Sequence, residues 1–409
     1  MTTSEQIFVI VPCCSAGRGT ALQLEGLLNQ TDRAGKPLPR CSYQIIIADE
    51  RGCTDGAKGA ARAEAAYPDA RVRHVTAGEY GVALARKRGF AEALTQLERA
   101  DGTQAILLSA SADCRPHPQW VFEMAAELKG GSSDLCVSHC SYDYDSFGDR
   151  PRLKQVLKRV MQARHRMNAL FGGLPDGTGF AVWADKYMVT GGIDVFYQLA
   201  SDGFVPHASD DWDFGVKVRA CGGRVSYAER ARVTAGIERV QRALQDLTGR
   251  GDGCSGPGPA GDISLEDAEG LWRCGLKDLV HRYVILPLFL TPELFQSAAV
   301  RSFLSGGLAD RLAQRIDEVK AETRLRDFVL IHSYKTPCYR LYFEFYEEIL
   351  ICLARQLRLA EISTPPLPKS LEVVRLNRGA EDWRRFVYYY CEDRESGDAH
   401  DYFAEERIF

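Results

Sequence analysis

Three stretches of the chain concentrate side chains that could do chemistry. Ser209-Asp210-Asp211-Trp212-Asp213 places three carboxylates within four residues. They lead an amphipathic pattern that ends at Gly222-Gly223. Acids at a helix start are stabilised by its partial positive charge, so capping explains them. Clustered carboxylates also raise one another's pKa, and a positioned one can act as a general base. Leu107-Leu108-Ser109-Ala110-Ser111-Ala112-Asp113 puts a carboxylate just after a buried apolar run, behind small side chains that let a bulky ligand approach the backbone. Asp113 there suits Mg²⁺ or Mn²⁺ bridging two phosphates; a turn aspartate before Pro116 is the plainer reading. Asp49-Glu50, followed by Gly52-Cys53-Thr54-Asp55-Gly56, ends another apolar run. An acid at that place can accept from a base N–H or a ribose hydroxyl, or Thr54 or Asp55 can cap the helix that follows.

Arg86 and Arg88 open a helical pattern from Gly81. Guanidinium groups near a helix start suit a pyrophosphate, and a solvated basic face is the alternative. His207 stands three residues before the acidic cluster, while the other histidines show no metal-ligand spacing. No G-x-S-x-G or Walker A motif is present, and no G-x-G-x-x-G follows a strand-like apolar run.

These residues need elements to hold them. Apolar runs at Ile7–Val11, Gln44–Ala48, Arg71–Val75, Ala105–Leu108 and Leu135–His139 alternate with amphipathic stretches at Ala21–Asn29, Gly56–Ala66, Gly81–Glu98 and Gln119–Leu128. That alternation predicts an α/β fold, a mostly parallel sheet with helices on both faces. Ligands of such sheets lie at the carboxyl ends of the strands, where the candidate residues stand. Arg152–Leu170 reads as a basic helix, Thr248–Asp262 as a Gly/Pro-rich loop, and Ser264 to about Leu359 as mainly helix.

With 409 residues, the chain is long enough to bury a core without disulfide or metal staples. A net charge of −4 gives no footprint for nucleic acid. The 13 cysteines, an odd number without regular spacing, read as reduced thiols of a cytoplasmic protein. The N-terminus lacks the basic n-region of a signal peptide, and the longest apolar stretch, Tyr283–Leu290, is too short for a membrane span.

The order of the motifs from Ile7 to about Arg232 resembles the family 2 glycosyltransferases, inverting enzymes of the GT-A fold. Val11-Pro12 matches the family's first strand, Gly52–Gly56 its "GSTDG" turn, and Gly81–Gly89 its "G-x-x-x-A-R-N-x-G" helix. Ser111-Ala112-Asp113 sits at the metal-binding "D-x-D", Gly179–Val182 with Gly191–Asp194 at "N-x-A-x-R…G-G-F-D", and Asp210-Asp211 at "E-D-x-x-L". The departures are Ser111 for the first aspartate, Asp210 for the glutamate, and a missing asparagine near Thr178–Phe180.

The resemblance implies a GT-A nucleotide-diphospho-sugar transferase fold with a mainly helical C-terminal region added. It implies a nucleotide-diphosphate sugar donor, chiefly a UDP-sugar, and a hexosyl or N-acetylhexosaminyl group passed singly to a small-molecule or peptide acceptor. Asp211 would be the catalytic base with Asp210 beside it. Pro12, Asp49, Glu50, Asp55, Arg86, Arg88, Ser111 and Ala112 would line the nucleotide site. Mn²⁺ or Mg²⁺ would sit on Asp113, with His207 as a second candidate ligand. The domains would be 1–247 (catalytic), 248–262 (loop), 263–364 (helical) and 365–409 (tail). Trp272, Leu288, Phe289, Leu294, Phe295, Phe343 and Phe345 give the helical region apolar area for an acceptor pocket, a homodimer or core packing against the catalytic domain.

Overall fold

The computed structural model describes residues 5–13, 18–78, 80–99, 104–131, 133–175, 177–195, 197–200, 203–206, 210–236, 261–322, 335–357, 371–379, 384–393 and 398–407. The apolar runs do form strands, and the amphipathic stretches do form helices. The chain up to Ala235 runs β1 (Gln6–Cys13), α1 (Arg18–Leu28), β2 (Gln44–Asp49), α2 (Asp55–Ala66), β3 (Arg71–Thr76), α3 (Val82–Arg99), β4 (Ala105–Ala110), β5 (Cys114–Pro116), α4 (Trp120–Lys129), β6 (Leu135–Tyr142), α5 (Pro151–Phe171), β7 (Gly179–Trp183), α6 (Ala184–Val189), β8 (Tyr197–Ala200), β9 (Gly203–Pro206), α7 (Asp210–Ala220) and β10 (Val225–Ala235). Then come α8 (Leu265–Val280), a π-helical turn at His281–Ile285, α9 (Leu286–Leu290), α10 (Ala298–Phe303), α11 (Leu308–Glu322), α12 (Lys335–Leu357), β11 (Leu371–Gly379), β12 (Arg384–Asp393) and β13 (Asp398–Arg407).

An eight-stranded sheet in the order β3-β2-β1-β4-β7-β6-β10-β5 forms the centre. β3, β2, β1 and β4 are mutually parallel, and β7 enters antiparallel between β4 and β6. β2 and β4 are buried along their whole length, which accounts for their unbroken apolar runs. One face is covered by α1, α2 and α4 through Leu24, Leu27, Ala60, Ala63, Trp120 and Met124. The other is covered by α3, α6 and α7 through Phe90, Tyr187, Phe214 and Val218. The register of β1 with β4 stops at Ile10–Ser109, while its register with β2 runs on to Cys13–Asp49. β1 and β4 therefore part at their carboxyl ends, where Pro12, with no N–H for a ladder, is buried.

The helical region is not a separate body. Leu276, Leu279, Val284, Leu288, Phe289, Phe295, Tyr346 and Ile349 share one core with Met167 and Phe171 of α5 and with Trp212 and Val216 of α7. Of the apolar residues singled out in the sequence, Leu288, Phe289, Phe295 and Phe345 lie inside this core, and Trp272 and Leu294 pack against it. The Phe343 side chain is outside those described. The expected apolar area is thus used within the chain. The boundary between 1–247 and 263–364 is one of sequence rather than of packing. In the tail, β11, β12 and β13 join β8 and β9 in a five-stranded antiparallel sheet. No helix among the described residues is long and apolar enough to cross a membrane.

A histidine pair lies under α5. The His139 ring stacks 3.8 Å from that of His165. His165 Nε2 donates to the Cys140 carbonyl at 2.7 Å, and the Tyr227 hydroxyl meets His139 Nδ1 at 2.6 Å. Burial, then the neighbouring charges of His165 and Arg232, push His139 down to about 4 from 6.5. Between those values the unfolded chain takes up a proton that the fold refuses. Stability is therefore full above about pH 6.5 and falls as pH drops toward about 4. The expected result is a melting temperature that declines across this window, with a shallower decline in His139→Asn. An equal slope in the variant would exclude His139 as its source.

Candidate active site

At the carboxyl end of β2, Asp49 is fully buried. Its Oδ1 accepts from Gly56 N at 3.1 Å, and its Oδ2 accepts from Ala57 N at 3.1 Å and from His74 Nε2 at 2.8 Å. The cap of α2 is therefore Asp49, not Thr54, which makes no side-chain cap hydrogen bond, nor Asp55, which is the first helical residue. Asp49, one of the two acids expected at the nucleoside, is thus also the residue that caps α2. It also explains the last glycine of the turn, since a Cβ on Gly56 would lie 2.3 Å from Asp49 Oδ1. Gly52 takes a positive φ of 81°, which favours glycine at the head of the turn.

Glu50, the next residue, is only partly buried. Its Oε2 accepts from Gly81 N at 2.7 Å, which ties the turn after β2 to the start of α3. Beside it, the Arg51 guanidinium lies 5.8 Å from the centre of the Tyr80 ring, which is 63% exposed. Sequence reading missed Arg51 and Tyr80, because neither belongs to a spaced motif. Arg86 and Arg88 separate. Arg86 is buried on the sheet side of α3. Arg88 lies on the exposed side, with its guanidinium 4.0 Å from Glu92, which also pairs with Arg73. Two residues along a helix is over half a turn, so the pair cannot share a face. Arg88 is the solvated basic residue of the two.

The Ser111–Asp113 turn follows β4. Cys114 N donates to the Ser111 carbonyl at 3.1 Å, and Gln23 Nε2 donates to that same oxygen at 2.5 Å. The Ser111 hydroxyl donates to Asp113 Oδ1 at 2.5 Å. Serine at the first "D-x-D" position thus orients the remaining carboxylate. Ala112 is buried between them. A half-buried carboxylate joined by phosphate oxygens and water is a hard-oxygen donor set that fits Mg²⁺ or Mn²⁺. His207 lies outside the described residues.

The acidic cluster opens α7, as its pattern predicts. Asp211 is 3% and Asp213 1% exposed. Asp211 Oδ1 accepts from Trp212 N at 2.9 Å. The Asp210 side chain is outside those described. One turn beyond Asp211, the Phe214 ring lies 5.6 Å from that of Phe180. Phe180 pairs in register with Ser109 of β4, two residues before Ser111. Packing through these rings sets the first turn of α7 against β7, the neighbour of β4. Lys217 Nζ donates to Asp194 Oδ2 at 2.7 Å and to the Gly192 carbonyl at 2.9 Å. That holds the Gly191–Asp194 loop to the same helix. On its far side, the Arg282 guanidinium of the π-helical turn lies 5.0 Å from the Trp212 ring centre.

Pro12, Glu50, Ser111, Ala112 and Asp113 therefore stand around the ends of β1, β2 and β4, with Asp211 opening the helix that packs on neighbouring β7. The shared sheet edge comes from the strand order; the α7 approach comes from ring packing.

Residues 8–189 match the family model described as Glycosyl transferase family 2. The glycosyltransferase AglE of Haloferax volcanii is 26% identical over 143 residues, which is 35% of this chain and 41% of that protein. The match thus spans less than half the length of that relative. Among solved structures, the mannosyltransferase PcManGT of Pyrobaculum calidifontis, in complex with GDP-Man and Mn²⁺, is similar at 16% identity with a TM-score of 0.36. That alignment covers 87% of this chain and 88% of the other. TarS 1-349 of S. aureus in complex with UDP-GlcNAc is similar at 12% identity with a TM-score of 0.41, covering 97% and 99%.

Proposed function

We propose that this chain, whose residues 8–189 belong to glycosyl transferase family 2, transfers a single sugar from a nucleotide-diphosphate sugar to a soluble acceptor. The donor is a UDP-sugar carrying a hexosyl or N-acetylhexosaminyl group. The acceptor is a small molecule or peptide, and the setting is cytoplasmic. The reading is carried by one observation: the buried carboxylate of Asp211 opens a helix packed, through Phe214, on Phe180 of β7, the strand paired with the one that leads into Ser111-Ala112-Asp113.

The roles follow from the positions. Glu50 is the acid assigned to the nucleoside, since Asp49 is fully buried and holds α2 and His74. Arg86, on the sheet side of α3, is the cation assigned to the diphosphate. Pro12, Ser111 and Ala112 present short side chains to the donor. A divalent ion bound at Asp113 would supply compensation for charge building on the leaving diphosphate. Asp211 takes the proton of the acceptor's nucleophile as its bond to the anomeric carbon forms opposite the departing diphosphate. One displacement inverts that centre and needs no enzyme nucleophile.

A thermal-shift screen of UDP-, GDP- and dTDP-sugars, each with and without Mn²⁺, tests the donor. A ligand that binds the native state at about 100 times its Kd adds about 2.7 kcal/mol of apparent stability. The expected result is a rise with the UDP-sugar that is larger with Mn²⁺. A rise with no nucleotide sugar in either condition overturns the reading.

A further inference from the structure

One cluster near the site has no part in the proposed transfer. Cys13 ends β1, Asp49 ends β2 and Cys53 lies in the turn after it. Their two sulfurs and a carboxylate oxygen lie within 4.8 Å of one another. From this geometry we infer that Cys13, Cys53 and Asp49 form a binding site for a thiophilic divalent cation of the Zn²⁺ class, separate from the oxygen site at Asp113. The inference does not rest on the transfer reading.

The donor chemistry chooses the metal. Two thiolates and a carboxylate suit Zn²⁺, whereas Mn²⁺ and Mg²⁺ favour oxygen throughout. In a tetrahedral zinc site, ligand atoms stand about 3.3–3.8 Å apart. The observed separations then need to shorten by no more than about 1.5 Å. Three protein ligands leave a fourth position for water or an incoming ligand, as zinc sites with an open position do.

The surroundings already have the form of an outer shell. Each carboxylate oxygen offers about two lone pairs. Asp49 Oδ2 spends both, on Ala57 N and His74 Nε2, while Oδ1 spends one on Gly56 N. Oδ1 thus has one lone pair to give to a cation. The Thr20 hydroxyl lies 3.0 Å from Cys13 Sγ and can turn to donate to a thiolate. Burial pushes the Cys13 thiol up to about 12, so without a metal this sulfur stays protonated. On binding, each thiol passes its proton to solvent and its sulfur lone pair to the cation, so two thiolates and one carboxylate surround a double positive charge. The ion would then tie the end of β1 to the turn between Glu50 and Gly56.

The test uses the full, reduced chain and Co²⁺ as a spectroscopic stand-in for Zn²⁺. The expected result is tetrahedral d–d bands with a thiolate-to-cobalt charge-transfer band, and a rise in melting temperature with Zn²⁺. Cys13→Ser and Cys53→Ser should each abolish the charge-transfer intensity from their sulfur and weaken binding by more than about 10-fold. Cys41→Ser and Cys221→Ser, which alter exposed thiols elsewhere, should leave both readouts unchanged. Cys53 is only half-buried, so Cys53→Ser is the variant expected to keep its metal-free melting temperature. Three outcomes overturn the proposal. They are an octahedral spectrum without charge transfer, full binding in both site variants, and loss of two titratable thiols to a Cys13–Cys53 disulfide in place of metal binding.

Discussion

Asp211→Asn should retain donor binding and lose sugar transfer. The side chain is buried at 3% exposure, and asparagine keeps its shape and the Oδ1 acceptor that Trp212 N uses. What changes is charge and basicity. A positioned general base contributes about 10²–10⁴-fold, so kcat should fall by that factor, or about 3–5 kcal/mol of barrier. Donor affinity should change less than about threefold, because the nucleotide side is built from β1, β2 and β4 rather than α7. Asp213→Asn is the informative comparison. Asp213 is as deeply buried, in the same turn, and a general loss of helix-start charge would affect both variants alike. Full transfer in Asp211→Asn, or loss confined to Asp213→Asn, would move the base. Transfer with a product of unchanged anomeric configuration would end the single-displacement reading.

Much of this site was legible in the chain because its parts are local. The unbroken run Ile45–Ile47 can only be a strand buried on both faces, and β2 is buried from Gln44 to Asp49. Short side chains before Asp113, and acids leading α7, are signals carried by neighbouring residues. What could not be read depends on partners far along the chain. That Asp49 serves α2 rests on His74, 25 residues on, and on the space a glycine leaves at 56. That Arg86 and Arg88 part company rests on which side of α3 meets the sheet. The antiparallel insertion of β7 was hidden because Gly179–Trp183 is short and reads like any apolar segment. Whether the helical region packs on the catalytic domain, lines a pocket or faces a second copy stays open in the sequence, because apolar residues there do not say which core they join. Trp212 and Val216 of α7 belong to that core, while Phe214 and Val218 belong to the core under the sheet. The helix that carries Asp211 is thus clamped between the two.

Arg219, in the last turn of α7, is the polar pin of that clamp, and its replacement should cost more stability than any other single change considered. Its side chain is 2% exposed. Nη2 donates to the Phe171 carbonyl at 2.6 Å and to the Gly173 carbonyl at 2.9 Å, and Nη1 donates to Thr291 Oγ1 at 3.0 Å. One guanidinium therefore joins α7 to the end of α5 and to the turn after α9. Burial lowers its pKa, but only to about 10, so it is still charged at neutral pH. Arg219→Met keeps much of the volume and removes all three donors. Two buried carbonyls are left unpaired at about 1–3 kcal/mol each. With the lost packing, the total should reach about 3–5 kcal/mol, or a melting temperature lower by about 4–6 °C. Arg219→Lys should recover only part, since an ammonium cannot reproduce the fork that reaches carbonyls on two sides. A fall under about 2 °C would mean that other groups satisfy those carbonyls once the guanidinium is gone. The same variant probes the link to transfer. If the clamp sets where Asp211 points, kcat should fall in Arg219→Met well below its melting temperature, while donor affinity stays unchanged. If α7 is held without the clamp, only stability should suffer.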